Sequence, residues 1–144
     1  MQNSDNRLDT TWCALRVLFG FVPIAAGLDK FFNLLTNWEM YLNPLATKVI
    51  PLSPATFMHI VGIIEVIAAV VVLSRFTKIG AYVVTAWLIA IALNLLTMGK
   101  FLDVAVRDLG LAVAAFSLAQ LTAVREENTS SVRVGNAQPS AIRS

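Results

Sequence analysis

The sequence predicts an all-α integral membrane protein, a four-helix bundle within the lipid bilayer. Of its 144 residues, 57% are hydrophobic and only 14% are charged, whereas a soluble domain carries about 25% charged residues. The mean hydropathy of +0.70 indicates the same class. The chain also contains four long apolar runs. A helix of about 20 apolar residues is long enough to cross the hydrocarbon layer.

The four predicted spans, in order along the chain, are residues 11–35, 54–73, 79–98 and 102–124. An N-terminal segment, residues 1–10, precedes them, and a polar tail, residues 125–144, follows. The tail has few large apolar residues to bury, so we expect it to be disordered. The longest connection, residues 36–53, contains Trp38 and Tyr41. It is either an ordinary loop anchored at the membrane surface or a lid over a pocket.

The distribution of basic residues predicts the orientation. An even number of spans puts both termini on one side of the membrane. That side holds Arg7, Arg75, Lys78, Arg125, Arg133 and Arg143, and the other side holds Lys30, Lys48 and Lys100. Because basic residues are enriched in cytoplasmic segments, we expect both termini to be cytoplasmic, in a multi-pass protein of a bacterial inner membrane.

A buried ion pair is predicted near the cytoplasmic side. Glu65 lies within an otherwise apolar span, where a charge costs about 2.5–3.5 kcal/mol on insertion scales. One face of the first span combines charges with residues that allow close packing: Arg16, Gly20, Pro23, Gly27 and Lys30. Counted at about 1.5 Å per residue, Arg16 and Glu65 lie at similar depths. We therefore predict that they pair; a protonated, neutral Glu65 is the alternative.

A second polar group is predicted toward the outer face, because all four spans place polar side chains there. Its members are Lys30, His59, Asn94, Arg107 and Asp108. We expect them to form an outer polar pocket. Alternatively, Lys30 belongs to a helix-packing face and extends its ammonium to the membrane surface. A lone histidine such as His59 is more often an interfacial residue than a ligand. Small residues on the face of Asp108 predict close helix packing of the fourth span: Ala112, Ala115 and Ala119.

Several function classes are not supported by the sequence. The chain has one histidine and one cysteine, so a histidine-rich metal site and an intrachain disulfide are excluded, and we predict no bound metal or haem. Its basic residues are scattered, which argues against a nucleic-acid partner. It lacks the phosphate-binding, dinucleotide-binding, zinc-protease and serine-elbow motifs of soluble enzymes, and the catalytic residues remain unknown.

Three segments resemble the DoxX family of small four-helix membrane proteins. In the first span, Arg16 is followed by Gly20 and then by Gly27-Leu28-Asp29-Lys30. The second span contains Gly62-Ile63-Ile64-Glu65, and the fourth contains Arg107-Asp108-Leu109-Gly110-Leu111-Ala112. The likeness extends from about Leu8 to Leu121 and implies four transmembrane helices. It also implies that the polar positions of the family fall on Arg16, Lys30, Glu65 and Asp108.

Some DoxX members resemble small subunits of a thiosulfate:quinone oxidoreductase, and others are tied to oxidative-stress assemblies. The resemblance therefore implies an accessory or quinone-interacting subunit of a membrane redox complex. If the chain is part of an enzyme, it is a subunit of a quinone-linked oxidoreductase. Arg16 or His59 would donate to a quinone carbonyl, Glu65 or Asp108 would relay a proton, and a protein partner would supply electrons. One alternative is a non-catalytic membrane anchor or scaffold. The other is a small proton-coupled transporter, for which four helices are few unless the protein is a homo-oligomer.

Overall fold

A computed structural model of the chain describes the backbone of residues 2–137 and the side chains of residues 6–45 and 48–131. The elements in chain order are α1 (Gln2–Phe32), a 3₁₀-helix (Trp38–Tyr41), α2 (Pro44–Val49), α3 (Pro54–Leu73), α4 (Thr77–Met98) and α5 (Leu102–Ala137). The long helices begin and end at recognisable signals. Pro54 opens α3 behind the N-cap Ser53, whose hydroxyl accepts from the Thr56 N–H, and Gly99 ends α4 in the left-handed region at φ 63°.

The helices overlap the four predicted spans and differ from them at their ends. The first helix begins at Gln2 rather than at residue 11 and ends at Phe32 rather than at residue 35, and α4 begins two residues before residue 79. Residues 125–137, which we expected to be disordered, continue α5 as a helix. Ion pairs near its start explain the extension, because Arg125 contacts Asp9 of α1 and Glu126 contacts Lys78 of α4. Residues 138–144 of the predicted tail lie outside the described residues.

The four long helices form one antiparallel bundle. The most extensive packing is between α4 and α5 and between α1 and α3, while α3 against α4 and α1 against α5 complete the ring. Small residues allow this close packing. Ala112, Ala115 and Ala119 of α5 are all at most 2% exposed, which confirms the predicted face. Larger side chains fill the centre of the bundle, among them Phe19, Val72 and Leu118.

Three helices within residues 2–137 are long and apolar enough to cross a membrane: Asn6–Phe32, Pro54–Leu73 and Thr77–Met98. The remaining long helix, α5, carries charges in its first two turns and packs along α4. Large apolar side chains such as Phe21 and Ile67 point outward from the bundle. This outward apolar surface is what a lipid environment requires, so the chain is an all-α membrane protein.

The two ends of the bundle differ in construction. The termini end comprises the first turns of α1, the α3–α4 turn and the last turns of α5. The loop end comprises residues 33–53 and the α4–α5 turn. Two non-glycine residues at the loop end have positive φ, Asn33 at 51° and Phe101 at 58°. The Phe101 ring packs on Tyr41 with 4.8 Å between ring centroids, so the 3₁₀-helix is fixed against the start of α5.

Candidate functional site

Glu65 forms its ion pair with Lys30. The Lys30 Nζ donates to Glu65 Oε2 over 2.6 Å, and the two side chains are 4% and 11% exposed. The ammonium also donates a longer bond, 3.5 Å, to the Ala26 carbonyl oxygen one turn back along α1. The predicted partner of Glu65, Arg16, bonds elsewhere, so the predicted pairing was wrong.

A close approach of two glycines brings the pair together. A Cβ on Gly27 would lie 2.6 Å from the Gly62 carbonyl oxygen, and a Cβ on Gly62 would lie 2.5 Å from the Gly27 carbonyl oxygen. The backbones of α1 and α3 therefore touch at this level. Lys30 and Glu65 lie about one turn to either side of the contact. Side chains lean toward the N-terminus of their own helix, and in an antiparallel pair this brings the two charges toward each other.

Arg16 instead binds the end of α3. Its guanidinium donates to the carbonyl oxygens of Val72 at 3.2 Å and Ser74 at 2.8 Å, and also to that of Leu73. The last carbonyls of a helix have no partner within the helix and carry partial negative charge. A cation at this position satisfies them. The depth argument failed because it compared Cα levels alone, and it overlooked these backbone acceptors as partners for an arginine.

Trp38 covers the ion pair from the loop end. The Lys30 Nζ lies 3.7 Å from the centroid of the Trp38 ring, a distance at which a cation is attracted to an aromatic face. The indole Nε1 donates to Asp29 Oδ2 over 2.7 Å. The Asp29 carboxylate also accepts from the backbone N–H groups of Leu34 and Leu35, at 2.9 and 3.1 Å. The 3₁₀-helix is thereby tied down over Lys30, the arrangement expected of a covering segment.

Sequence reasoning missed the part played by Asp29. We had named this residue only as part of the motif Gly27-Leu28-Asp29-Lys30 and had given it no role. The sequence did contain a signal for this role, because Asp29 stands next to Lys30 near the end of the first helix. A carboxylate there can accept N–H bonds from the following loop while the adjacent lysine turns inward.

Asp108 approaches the same region from α5. Its side chain is 6% exposed and accepts from Arg107, with Nη2–Oδ1 at 3.0 Å. Lys30 also attracts this carboxylate electrostatically. Four structural elements therefore converge at the loop end. We call the group the polar cluster and define it as Asp29, Lys30, Trp38, Glu65 and Asp108.

His59 and Asn94 lie on the flanks of the polar cluster. The His59 ring stacks on Phe31, with 4.6 Å between centroids and an interplanar angle of 7°. Asn94 donates to the Tyr41 carbonyl oxygen over 3.1 Å, which holds the 3₁₀-helix to α4. Of the predicted outer pocket, Arg107 bonds to Asp108, Lys30 bonds to Glu65 and acts on Asp108 only electrostatically, and His59 and Asn94 make other contacts.

The polar cluster holds charged groups in a shielded site. The Lys30–Glu65 hydrogen bond is short and largely shielded from solvent. The Arg107 guanidinium, mostly exposed, links Asp108 to the surface of the bundle. Among the described residues, no group of three His, Cys, Asp or Glu side chains is arranged to hold a metal ion. The chemistry that these side chains offer is hydrogen bonding and proton exchange.

The comparison with known families identifies the DoxX family. Its profile matches residues 11–100, a range that covers most of α1, the 3₁₀-helix, α3 and α4 and includes Lys30, Trp38 and Glu65. The fourth-span motif Arg107–Ala112 lies outside the matched range. No curated protein and no solved structure matches the chain.

Proposed function

Because this chain belongs to the DoxX family, we propose that it is an accessory, quinone-interacting subunit of a membrane redox complex. That complex would be of the thiosulfate:quinone oxidoreductase kind or an oxidative-stress assembly. The observation that carries the proposal is the polar cluster, in which Lys30 and Glu65 pair within the bundle. Charged groups within a membrane are costly, and they typically mark proton or substrate pathways.

The flank formed by His59 and Phe31 suits a quinone head group. Phe31 is exposed on the outside of the bundle and offers an aromatic face, and the stacked imidazole offers an N–H donor for a carbonyl oxygen. Lys30 would offer a second donor once Trp38, which covers it, moves aside. A quinone carries electrons and protons within the membrane. Its electrons would come from a partner protein, because this chain would only bind the quinone and exchange protons with it.

Glu65 and Asp108 are the groups that would hold the protons. Each carboxylate contacts a basic side chain, Lys30 or Arg107, and a carboxylate can accept a proton from a bound oxygen and later release it. The covering Trp38 would keep water away from that exchange. Movement of the 3₁₀-helix would then open the polar cluster.

One observation favours the second candidate, a non-catalytic anchor or scaffold. Arg16 is fully explained by its bonds to the end of α3, and Asp29 by its bonds to the following loop and to Trp38. Such charges fix the register of the helices and take no part in a reaction. If the Lys30–Glu65 pair also only fixes helix register, the chain binds a protein partner and no quinone.

Titration of the purified protein with a short-chain, water-soluble quinone separates the candidates. Binding is followed by quenching of tryptophan fluorescence, and circular dichroism checks the fold of each variant. We expect saturable binding by the wild type, weakened about tenfold or more in Glu65→Gln and in His59→Gln. The first removes the charge that pairs with Lys30, and the second removes the ring that stacks on Phe31 and positions its N–H donor.

Glu126→Gln is the matched control, because it makes the same chemical change in an exposed carboxylate at the termini end. It should bind quinone as the wild type does. Absence of saturable binding by the wild type, or equal affinities in Glu65→Gln and Glu126→Gln, would refute the quinone proposal. His59→Gln keeps the test decisive if Glu65→Gln fails to fold.

We propose further that the termini end faces the cytoplasm of a bacterial inner membrane. Arg75, Lys78 and Arg125 lie at that end in the structure, and basic residues favour the cytoplasmic side. Reporter fusions to the C-terminus test this orientation. A fluorescent protein that folds only in the cytoplasm should be bright there, and an active periplasmic phosphatase would contradict the proposal.

A further inference from the structure

A basic groove lies at the termini end, far from the polar cluster. It has a volume of about 390 Å³ and is bordered by α1, the α3–α4 turn and α5. Three arginines line it, Arg16, Arg75 and Arg125, against a single acidic residue, Glu126. The Glu126 carboxylate already contacts Lys78 at 3.3 Å, and Arg125 is paired with Asp9 of α1. Among the described residues, Arg16 and Arg75 form no ion pair, so the groove carries excess positive charge. We call it the arginine groove.

Two of the guanidinium groups share one aromatic ring. The Cζ of Arg16 lies 4.9 Å from the centroid of the Trp12 ring, and the Cζ of Arg125 lies 4.3 Å from it. The Trp12 Nε1 donates to Thr122 over 2.9 Å, which fixes the indole between α1 and α5. Trp12 therefore holds two guanidinium groups at the border of the groove, and within the described part of the chain only Arg125 of the two has a carboxylate partner, Asp9.

The α3–α4 turn adds a third cation and a helix terminus. The exposed Arg75 packs on the ring of Phe76, with Cζ 4.9 Å from the ring centroid. Phe76 is also the N-cap of α4 and makes no side-chain cap hydrogen bond. The N-terminus of a helix carries partial positive charge and free N–H groups. The arginine groove thus combines three guanidiniums with the positive end of a helix dipole.

We propose that the arginine groove binds the phosphate group of an anionic phospholipid. Guanidinium groups suit phosphate oxygens, which accept paired N–H bonds, and basic pockets between membrane helices bind anionic head groups. Arg16 uses its Nε and Nη2 on backbone carbonyls, which leaves Nη1 for the ligand. This site is independent of the proposed quinone function.

The surroundings favour a lipid over a soluble phosphate compound. Trp12 stands at the boundary of the apolar part of α1, where interfacial tryptophans are enriched. Beside the groove, Phe76 and Ile79 are 48% and 59% exposed. Their apolar side chains can face acyl chains while the arginines hold the head group. A soluble phosphate compound would make no use of this apolar border.

The test is a thermal-unfolding titration of the full chain in a nonionic detergent. The probes are phosphatidylglycerol, phosphatidylcholine and inorganic phosphate, and native mass spectrometry counts the lipids retained. We expect phosphatidylglycerol to raise the Tm at concentrations where phosphatidylcholine does not. Arg75→Gln and Arg125→Gln should each weaken that effect about fivefold, the value of one interfacial basic residue. A shift with inorganic phosphate alone would overturn the lipid assignment in favour of a soluble phosphate ligand.

Lys100→Gln is the matched control, because it removes one exposed positive charge at the loop end. It should respond to phosphatidylglycerol as the wild type does, and Arg75→Lys should retain most of the response. Equal losses in Lys100→Gln and Arg75→Gln would show that net charge alone matters and would overturn the site, as would the absence of any selective shift in the wild type. Arg75 lies in an exposed turn, so its variants remain informative if Arg125→Gln unfolds.

Discussion

The free energy contributed by the Lys30–Glu65 pair can be measured with Glu65→Gln, Lys30→Met and the double variant. Each single substitution keeps the approximate volume of the side chain and removes one charge. Each leaves the opposite charge in a site that the structure shields almost completely, with Lys30 4% and Glu65 11% exposed. The double variant removes both charges and leaves neither unpaired.

At the 2.6 Å separation of the charged atoms, the Coulomb attraction is about 6 kcal/mol at an effective dielectric constant of about 20. Burial of two charges cancels much of this attraction, so the pair itself contributes little net stability. An orphaned charge costs about 3–5 kcal/mol. We therefore expect each single variant to lose about 3 kcal/mol and the double variant to lose much less than the sum. The expected coupling energy is at least about 2 kcal/mol.

The assay is equilibrium unfolding in mixed micelles with a rising fraction of denaturing detergent, followed by circular dichroism. A cycle of Arg16→Gln with Glu65→Gln provides the control, because the structure gives these residues separate partners. Their losses should add within about 0.5 kcal/mol. Additive losses for Lys30 and Glu65, or strong coupling between Arg16 and Glu65, would refute the pairing described here.

Two further predictions concern the packing and cover of the polar cluster. Gly62→Ala should destabilise the bundle by about 1–3 kcal/mol, because its methyl group would lie 2.5 Å from a backbone oxygen of α1. Gly110→Ala is the control: its methyl group would meet nothing within 4 Å, so this variant should be neutral or slightly stabilising. Equal free energies of unfolding for the two variants would contradict the prediction. Trp38→Phe keeps a ring over Lys30 but loses the hydrogen bond to Asp29, so the 3₁₀-helix should open more often. Losing this hydrogen bond should lower the stability of the closed loop by about 1 kcal/mol, so hydrogen exchange of the loop amides should accelerate about fivefold. An unchanged exchange rate would argue against the covering role of Trp38.

The sequence was sufficient to place the helices, because each contains a long apolar run and α3 and α4 have clear signals at their ends. Ser53 and Pro54 mark the start of α3, and Gly99 marks the end of α4. The continuation of α5 to Ala137 could not be predicted in this way. Its polar residues gain contacts from α1 and α4, and these partners are remote in sequence.

The candidate site was only partly predictable. Glu65 needs a partner because a charge in lipid is costly. The composition of α3 alone is enough to predict this need. Which cation fills the role depends on the contact of Gly27 with Gly62, which sets the register of two helices, and on the direction of side chains along each helix. Residue counting places Arg16 at a suitable depth but does not reveal the free carbonyls of α3 that bind it.

The amino-acid pattern alone determined that this protein is a bundle of apolar helices with charges that must be neutralised inside it, since hydrophobicity and helix length are local properties. Only the tertiary structure decided that Lys30 is the partner of Glu65, that Trp38 covers the pair and that three arginines share a groove. Those outcomes depend on distances between segments far apart in the chain, and such distances are fixed by how the helix backbones pack.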